Sequence, residues 1–110
     1  GFDSIRAIPE LKDEVLLVPL VGHTRGHSGV AVNTQDGWLL HCGDAYFHHD
    51  QMNANPSCPI GLEIFQRGLA ASNKDRVHNL QRLQHLAHST KTEQVQLFSA
   101  HDPVELARYQ

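Results

Sequence analysis

A histidine- and glycine-rich segment follows an apolar run near the start of the chain. Residues 22–29, GHTRGHSG, contain three glycines and two histidines, and they follow the apolar, β-branched and leucine-rich residues 15–20. Such a run is typical of a strand covered on both faces, and glycines let the backbone turn sharply after it. The pattern predicts a strand that leads into a functional loop, because loops held by a rigid scaffold often carry function.

The middle of the chain predicts a hairpin and an irregular loop. Residues 30–34 and 38–42 are strand-like and flank a turn with the sequence Gln-Asp-Gly. Residues 45–59 show no sustained period and contain several Asn and Pro residues, so we expect an irregular loop there. A long loop in a small domain is usually a wall of a site or a disordered piece.

The last part of the chain predicts helices and one more strand. Residues 61–71 predict a short helix, and Ser72 or Asn73 can cap a longer one. Residues 94–99 alternate toward a last strand, after which Pro103 opens a terminal helix. The longer helix carries a core-facing stripe of Val77, Leu80, Leu83, Leu86 and Ala87.

Size and charge limit the classes of function. At 110 residues we expect a single domain over residues 1–110, in which residues 1–14 form a poorly defined arm. The net charge is −3 and there is no basic stripe, so nucleic acid is not an expected partner. No apolar run approaches the length of a membrane span, so a membrane is not expected either.

The cysteines and the first residue bear on where the chain comes from. Cys42 and Cys58 form no CxxC pair and suggest no disulfide framework, so we expect a reducing, cytoplasmic setting. A lone bridge between these two cysteines stays open. The chain begins at Gly1 and its one methionine is Met52, so we expect a truncated, processed or engineered form.

Nine histidines stand out in the composition. Three candidate ligands each follow the end of a predicted strand, namely His27, Asp44 and His101. In a layered α and β domain these strand ends can converge on one rim of the sheet. Two imidazoles and a carboxylate suit zinc, iron or manganese, whereas the alternative is that each side chain is bonded within its own loop.

Three segments resemble motifs of one family in order and spacing. Residues 23–28 (HTRGHS), 40–44 (LHCGD) and 98–102 (FSAHD) are similar to the HTxGHS, GD and final histidine motifs of the metallo-β-lactamase-fold hydrolases. The resemblance implies an α+β fold, half of an αββα sandwich, with a mixed β-sheet covered by helices on one face. It also implies that His27 ligates a first metal, that Asp44 bridges two metals and that His101 ligates the second.

The other ligands of that family come from an HxHxDH motif, which this sequence lacks. The nearest string, His48-His49-Asp50, has no intervening residue and lies on the wrong side of the other motifs. The chain therefore resembles the C-terminal half of such an enzyme. Each metal would keep one histidine and the shared carboxylate, so we expect weak or no metal binding and no activity in this chain alone.

The resemblance implies a function for the parent enzyme and leaves two alternatives. Metal-bound hydroxide would attack an ester, thioester, lactone or amide of a small-molecule substrate. One alternative is a non-catalytic module that self-associates, because a lone half exposes an apolar sheet face that a homodimer could cover. The other is a chain that pairs with a separately encoded N-terminal half.

The remaining histidines and Cys42 have simpler expected roles. We expect His23 to hold its loop through a hydrogen bond and His41 to be a packed or edge residue of its strand. Cys42 is expected to be a buried small hydrophobic residue. His48 and His49 could contribute to a site from the long loop, but we expect them to be solvated loop residues, and we expect the helix residues His78, His85 and His88 to form a solvated face.

Overall fold

A five-stranded mixed sheet forms the centre of the protein. The computed structural model describes residues 2, 5–11, 14–89 and 95–110, and within them all five strands belong to one sheet. Strands β1 to β4 form three successive antiparallel pairs, and β5 runs parallel to β4. In chain order, which is also sheet order, the strands are β1 (Arg6–Ala7), β2 (Val15–Pro19), β3 (Ser28–Thr34), β4 (Gly37–His41) and β5 (Val95–Phe98).

Helices fill the connection between β4 and β5 and follow β5. They are α1 (Ile60–Leu69), α2 (Asn73–His88) and α3 (Pro103–Leu106), and short 3₁₀ turns cover Pro9–Leu11, His49–Met52 and Ala107–Tyr109. A parallel pair of strands needs a long crossover, and α1 and α2 lie within it. The predicted α+β class and mixed sheet are confirmed.

The element boundaries shift from the predicted ones by a few residues. Strand β3 begins at Ser28, two residues before the predicted start, so the histidine loop is shorter than expected. Helix α1 begins at Ile60 and ends at Leu69. The predicted first residue of the last strand, Gln94, lies outside the described residues, and the strand is described from Val95.

The core lies on one face of the sheet. Val18 and Leu40 point to this face and are almost fully buried, and Leu83 of α2 is fully buried against the same cluster. Leu17 and Val32 lie on the other face and are 38% and 37% exposed. The prediction that residues 15–20 are covered on both faces is therefore wrong for this chain, because α2 packs on one face only.

Helix α2 begins and packs largely as predicted. The Ser72 hydroxyl accepts the Asp75 backbone N–H at 3.3 Å, which confirms Ser72 as the cap. In the stripe, Leu83 is fully buried and Leu80 and Leu86 pack partly buried beside it, but Ala87 is exposed, so that part of the prediction is wrong.

Two polar residues of α2 are buried, which the apolar pattern did not predict. Arg76 is 3% exposed and pairs with Glu63 at 3.1 Å, and Asn79 donates to the Val21 carbonyl at 2.8 Å. A Cβ at Gly22 would lie 2.2 Å from the Arg76 nitrogen, so the backbone of the histidine loop rests directly on this helix. Helix α2 therefore supports the loop that carries His23 and His27.

Both cysteines are free, so the bridge that the sequence left open is not formed. Cys42 has no exposed surface, which confirms its expected role as a buried small side chain. Burial, and then the negative charge of Glu105, raise the pKa of the Cys42 thiol far above its usual range. In the part of the chain that is described, no helix is long and apolar enough to cross a membrane.

Candidate metal centre

His27 lies at the start of β3 and both of its ring nitrogens are engaged. Nδ1 lies 2.7 Å from the Leu20 carbonyl, and Nε2 accepts the backbone N–H of Asp44 at 2.8 Å. Gly43 makes this approach possible, because it has a positive φ of 57° and a Cβ there would lie 2.7 Å from the His27 ring. The loop after β2 and the loop after β4 are therefore held together at this point.

The carboxylate of Asp44 lies between two other histidines. Its Oδ1 is 2.6 Å from His101 Nε2, and its Oδ2 is 3.5 Å from His23 Nε2. The structure therefore brings Asp44 and His101 together through their side chains, while His27 contacts the Asp44 backbone. His23, which was expected to hold its own loop, instead has its ring beside this carboxylate.

The close placement of Asp44 and His101 follows from the pairing of β4 with β5. His41 is paired with Phe98 at the end of the two strands. Hydrogen bonds continue beyond the strands, from the Cys42 N–H to the Phe98 carbonyl at 2.8 Å and from the Ala100 N–H to the Gly43 carbonyl at 2.9 Å. The residues that follow, Asp44 and His101, are thus held side by side by the backbone.

The Asp44 carboxylate fits a bound cation. Its Oδ1 is buried and accepts no hydrogen bond from the described residues, although His101 Nε2 lies 2.6 Å away. A buried acceptor without a donor is costly unless a positive charge compensates it. Imidazole nitrogen and carboxylate oxygen are ligands of zinc, iron and manganese, so Asp44 and His101 suit a divalent metal.

The three predicted ligands do not form one compact set. Over residues 2, 5–11, 14–89 and 95–110, the group with three ligand atoms within 4.8 Å of one another consists of His48, His49 and Asp102. The expectation that His48 and His49 are solvated is wrong, because their side chains are only 26% and 28% exposed and His49 Nδ1 lies 2.8 Å from Asp102 Oδ2. This contact joins the loop after β4 to the loop after β5.

Asp102 is a residue that the sequence reasoning did not single out. It caps α3 by accepting the backbone N–H groups of Val104 and Glu105, and it also accepts the His49 N–H. Burial alone would raise the pKa of the Asp102 carboxyl, but the hydrogen bonds from His49 and from the α3 backbone hold it below its usual value. The sequence signal was its place directly before Pro103, a typical cap position.

The buried carboxylate of Glu105 also links the loop after β4 to the loop after β5. The Tyr46 hydroxyl lies 2.9 and 2.8 Å from the two oxygens of Glu105, and the Ser99 N–H donates to Glu105 at 2.8 Å. Tyr46 follows Asp44 closely and Ser99 precedes His101, so Glu105 links the segments that carry the two candidate ligands. No local pattern in the sequence indicates this contact.

An open cavity of about 600 Å³ adjoins the centre. Phe47 contacts both neighbouring imidazoles, with its ring centroid 5.9 Å from His23 and 4.7 Å from His101. Leu62 and Phe65 of α1 form an apolar wall opposite, while His101 and Asp102 supply the polar end. The centre therefore opens onto a mostly apolar cleft.

Comparisons with known proteins bear on the family and the fold of the chain. The chain is 34% identical over 110 residues to probable metallo-hydrolases of Mycobacterium tuberculosis and Mycobacterium bovis. The match covers 98% of this chain and 35% of each relative, so the chain spans about a third of the length of these curated relatives. No profile of a known protein family matches the chain.

Solved structures share the fold. An N-acyl homoserine lactone hydrolase with N-hexanoyl-L-homoserine bound at its catalytic metal centre matches with a TM-score of 0.64 and 16% identity, over 94% of this chain and 36% of that one. A probable metal-dependent hydrolase from Staphylococcus aureus matches with a TM-score of 0.59 and 14% identity, over 92% and 31%. The motifs, the mixed sheet and these relatives together show that the chain belongs to the metallo-hydrolase family with the metallo-β-lactamase fold.

Proposed function

We propose that the chain supplies the metal-binding C-terminal part of a hydrolase that acts on a small-molecule ester, thioester, lactone or amide. The observation that carries this proposal is the buried, donor-free Oδ1 of Asp44 beside His101 Nε2. The relatives named metallo-hydrolases support the metal dependence. Zinc is the metal we propose, with iron or manganese as the alternatives.

The residues of the centre have distinct roles in this proposal. Asp44 and His101 would hold the metal, and His27, which now accepts the Asp44 N–H, would join them as a ligand. A bound metal supplies a water of lowered pKa as the nucleophile. Phe47 excludes water from one side of the His23 and His101 imidazoles, and the apolar cleft beside them holds the non-reacting part of a substrate.

The isolated chain is proposed to be inactive. A catalytic zinc needs about three protein ligands and an open position, and the HxHxDH motif that would supply more ligands is absent. The chain also spans only 35% of the relatives that it matches. Metal binding, rather than turnover, is therefore the property that tests this centre.

The decisive measurement is the zinc affinity of the centre by titration calorimetry, in a 110-residue chain in which His48→Ala and His49→Ala remove the neighbouring pair of histidines. We expect Asp44→Asn to weaken zinc binding at least tenfold, because it removes the charge that compensates the metal. His85→Ala is the matched control, since His85 is exposed on α2 and does not line the cavity beside the centre. Equal affinity with and without Asp44→Asn in that chain would contradict the proposal.

A second candidate function is favoured by the exposed sheet face. Leu17 and Val32 are more than a third exposed on the face opposite α2, and apolar patches of this kind often mark interaction sites. A second copy of the chain, or an N-terminal half, would cover this face. Sedimentation over a range of concentrations should show association that Leu17→Lys reduces, and a monomer at every concentration would exclude the homodimer.

A further inference from the structure

A cluster of four side chains lies beside the candidate centre without forming part of it. His48, His49 and Asp50 follow one another in the loop after β4, and Asp102 faces them from the loop after β5. One ligand atom each from His48, His49 and Asp102 lies within 4.8 Å of the others. The His48-His49-Asp50 string, which does not match the HxHxDH motif, therefore lies in a compact group with Asp102.

The hydrogen bonds determine where the imidazole lone pairs point. A carboxylate only accepts, so His49 Nδ1, 2.8 Å from Asp102 Oδ2, must carry the proton. In the neutral ring, Nε2 then holds a lone pair, and it lies 3.5 Å from Asp50 Oδ1. His48 Nδ1 accepts the Asp50 N–H at 3.2 Å and lies 3.7 Å from Asp50 Oδ2, so an ion bound at this nitrogen would replace that hydrogen bond.

In the neutral ring, the lone pair of His49 Nε2 thus faces the Asp50 carboxylate, and His48 Nδ1 lies beside the same carboxylate. Two groups that only accept repel one another unless a proton or a metal cation lies between them. Nitrogen from two imidazoles and oxygen from carboxylates suit zinc and similar transition ions better than calcium or magnesium. A carboxylate that accepts the other ring N–H, as Asp102 does from His49, is the arrangement that orients metal-binding histidines.

The loop is rigid before any ion binds. Gln51 is 3% exposed, and its Oε1 accepts the backbone N–H groups of Phe47 at 3.1 Å and of His48 at 3.0 Å. The two imidazoles are stacked, with centroids 4.3 Å apart and planes at 23°. Because the ligands are held in place, binding an ion would cost little conformational entropy. Both rings are about a quarter exposed, so an ion can reach them.

The geometry points to a second site for a divalent transition metal, formed by His48 and His49 with the carboxylate of Asp50, in which Asp102 orients the His49 ring. This site borders the same cavity as His101 but is distinct from the centre at Asp44. It does not depend on the proposed hydrolase function. His48, His49 and Asp50 would hold an ion whether or not the centre at Asp44 is complete.

Zinc binding to a chain without the histidines of the first centre tests this site. In the 110-residue chain with His27→Ala and His101→Ala, elemental analysis after dialysis should find about one zinc per chain, and magnesium should not compete. Adding His48→Ala and His49→Ala should remove that zinc. Adding His78→Ala and His85→Ala instead removes the same number of histidines, both exposed on α2, and should leave it.

Two further measurements keep the test valid if the multiple variants fail to fold. In the unchanged chain, zinc titration should shift the imidazole ¹H–¹⁵N signals of His48 and His49. Asp50→Asn, a mild change at a side chain that is 39% exposed, should weaken zinc binding at this site about tenfold or more. Unshifted His48 and His49 signals at saturating zinc, or zinc uptake independent of these residues, would overturn the proposal and leave the cluster as a link between two loops.

Discussion

At the scale of single residues, the backbone conformation of Gly43 and its contact with His27 require a glycine at that position. Gly43 has a φ of 57°, and a Cβ there would lie 2.7 Å from His27 Nε2. We expect Gly43→Ala to lower the free energy of unfolding by about 2 kcal/mol, through backbone strain and the displacement of His27. Urea denaturation measures this change.

The control for that substitution is another glycine. A Cβ added at Gly61, in α1, would meet no atom within 4 Å, and Gly61 has no positive φ. Gly61→Ala should leave the free energy of unfolding unchanged or raise it by about 0.5 kcal/mol. If the two variants were equally stable, the close approach of His27 to Gly43 would not matter in solution.

Asp102 makes the free energy of unfolding of the chain depend on pH. Because its folded-state pKa is held below the usual 3.8, its contribution to stability is complete above that pH and is lost as pH falls through the folded-state value. We expect Asp102→Asn to cost about 2 kcal/mol at pH 7, since a buried acceptor of several hydrogen bonds is changed. The difference between the two chains should shrink below about pH 4 in unfolding experiments. A difference that stays constant from pH 7 to pH 2 would show that the charge of Asp102 has no part in it.

At the scale of elements, Glu105 joins the two ligand-bearing loops to α3. Tyr46→Phe removes the hydroxyl that lies within 2.9 Å of both Glu105 oxygens and leaves that buried carboxylate with fewer donors. We expect a loss of about 1–3 kcal/mol in the free energy of unfolding. The metal affinity should fall as well, because Asp44 and His101 lose a common support. Tyr109→Phe, at a tyrosine that is 38% exposed, is the control and should change neither quantity.

The sequence predicted those elements whose causes are local. The apolar run of β2, the hairpin turn and the Ser72 cap depend on neighbouring residues, and the structure contains all three. The contact of His49 with Asp102 joins residues 53 positions apart, and no short pattern reports such a pair. Likewise, the burial of Arg76 depends on its pairing with Glu63 of another helix.

The sequence predicted only part of the candidate site, because the other contacts of the site are not local. The motifs placed Asp44 and His101 after strand ends, and parallel pairing of those strands brings the two side chains to 2.6 Å. They did not reveal that His27 would bond to the Asp44 backbone or that His23 would face its carboxylate. These contacts depend on how two loops fold against each other, which is a tertiary property.

For the whole molecule, zinc should act as a stabilising ligand. A metal that binds the folded chain and not the unfolded one raises the free energy of unfolding by about 2.7 kcal/mol at a hundred times its dissociation constant. Thermal melting should therefore shift upward with zinc and return after chelation, whereas magnesium should have no effect. An unchanged melting temperature at saturating zinc would argue against both metal sites.

The parallel pairing of β4 with β5 has a consequence for how the chain can vary. The ladder from His41 and Phe98 to Gly43 and Ala100 fixes the distance between Asp44 and His101 by itself. The crossover between these strands, which contains α1 and α2, can therefore lengthen, shorten or change its composition without separating the two ligands. Relatives could reshape the cleft wall at Leu62 and Phe65, and with it the choice of substrate, while the chemistry at the sheet rim stays the same.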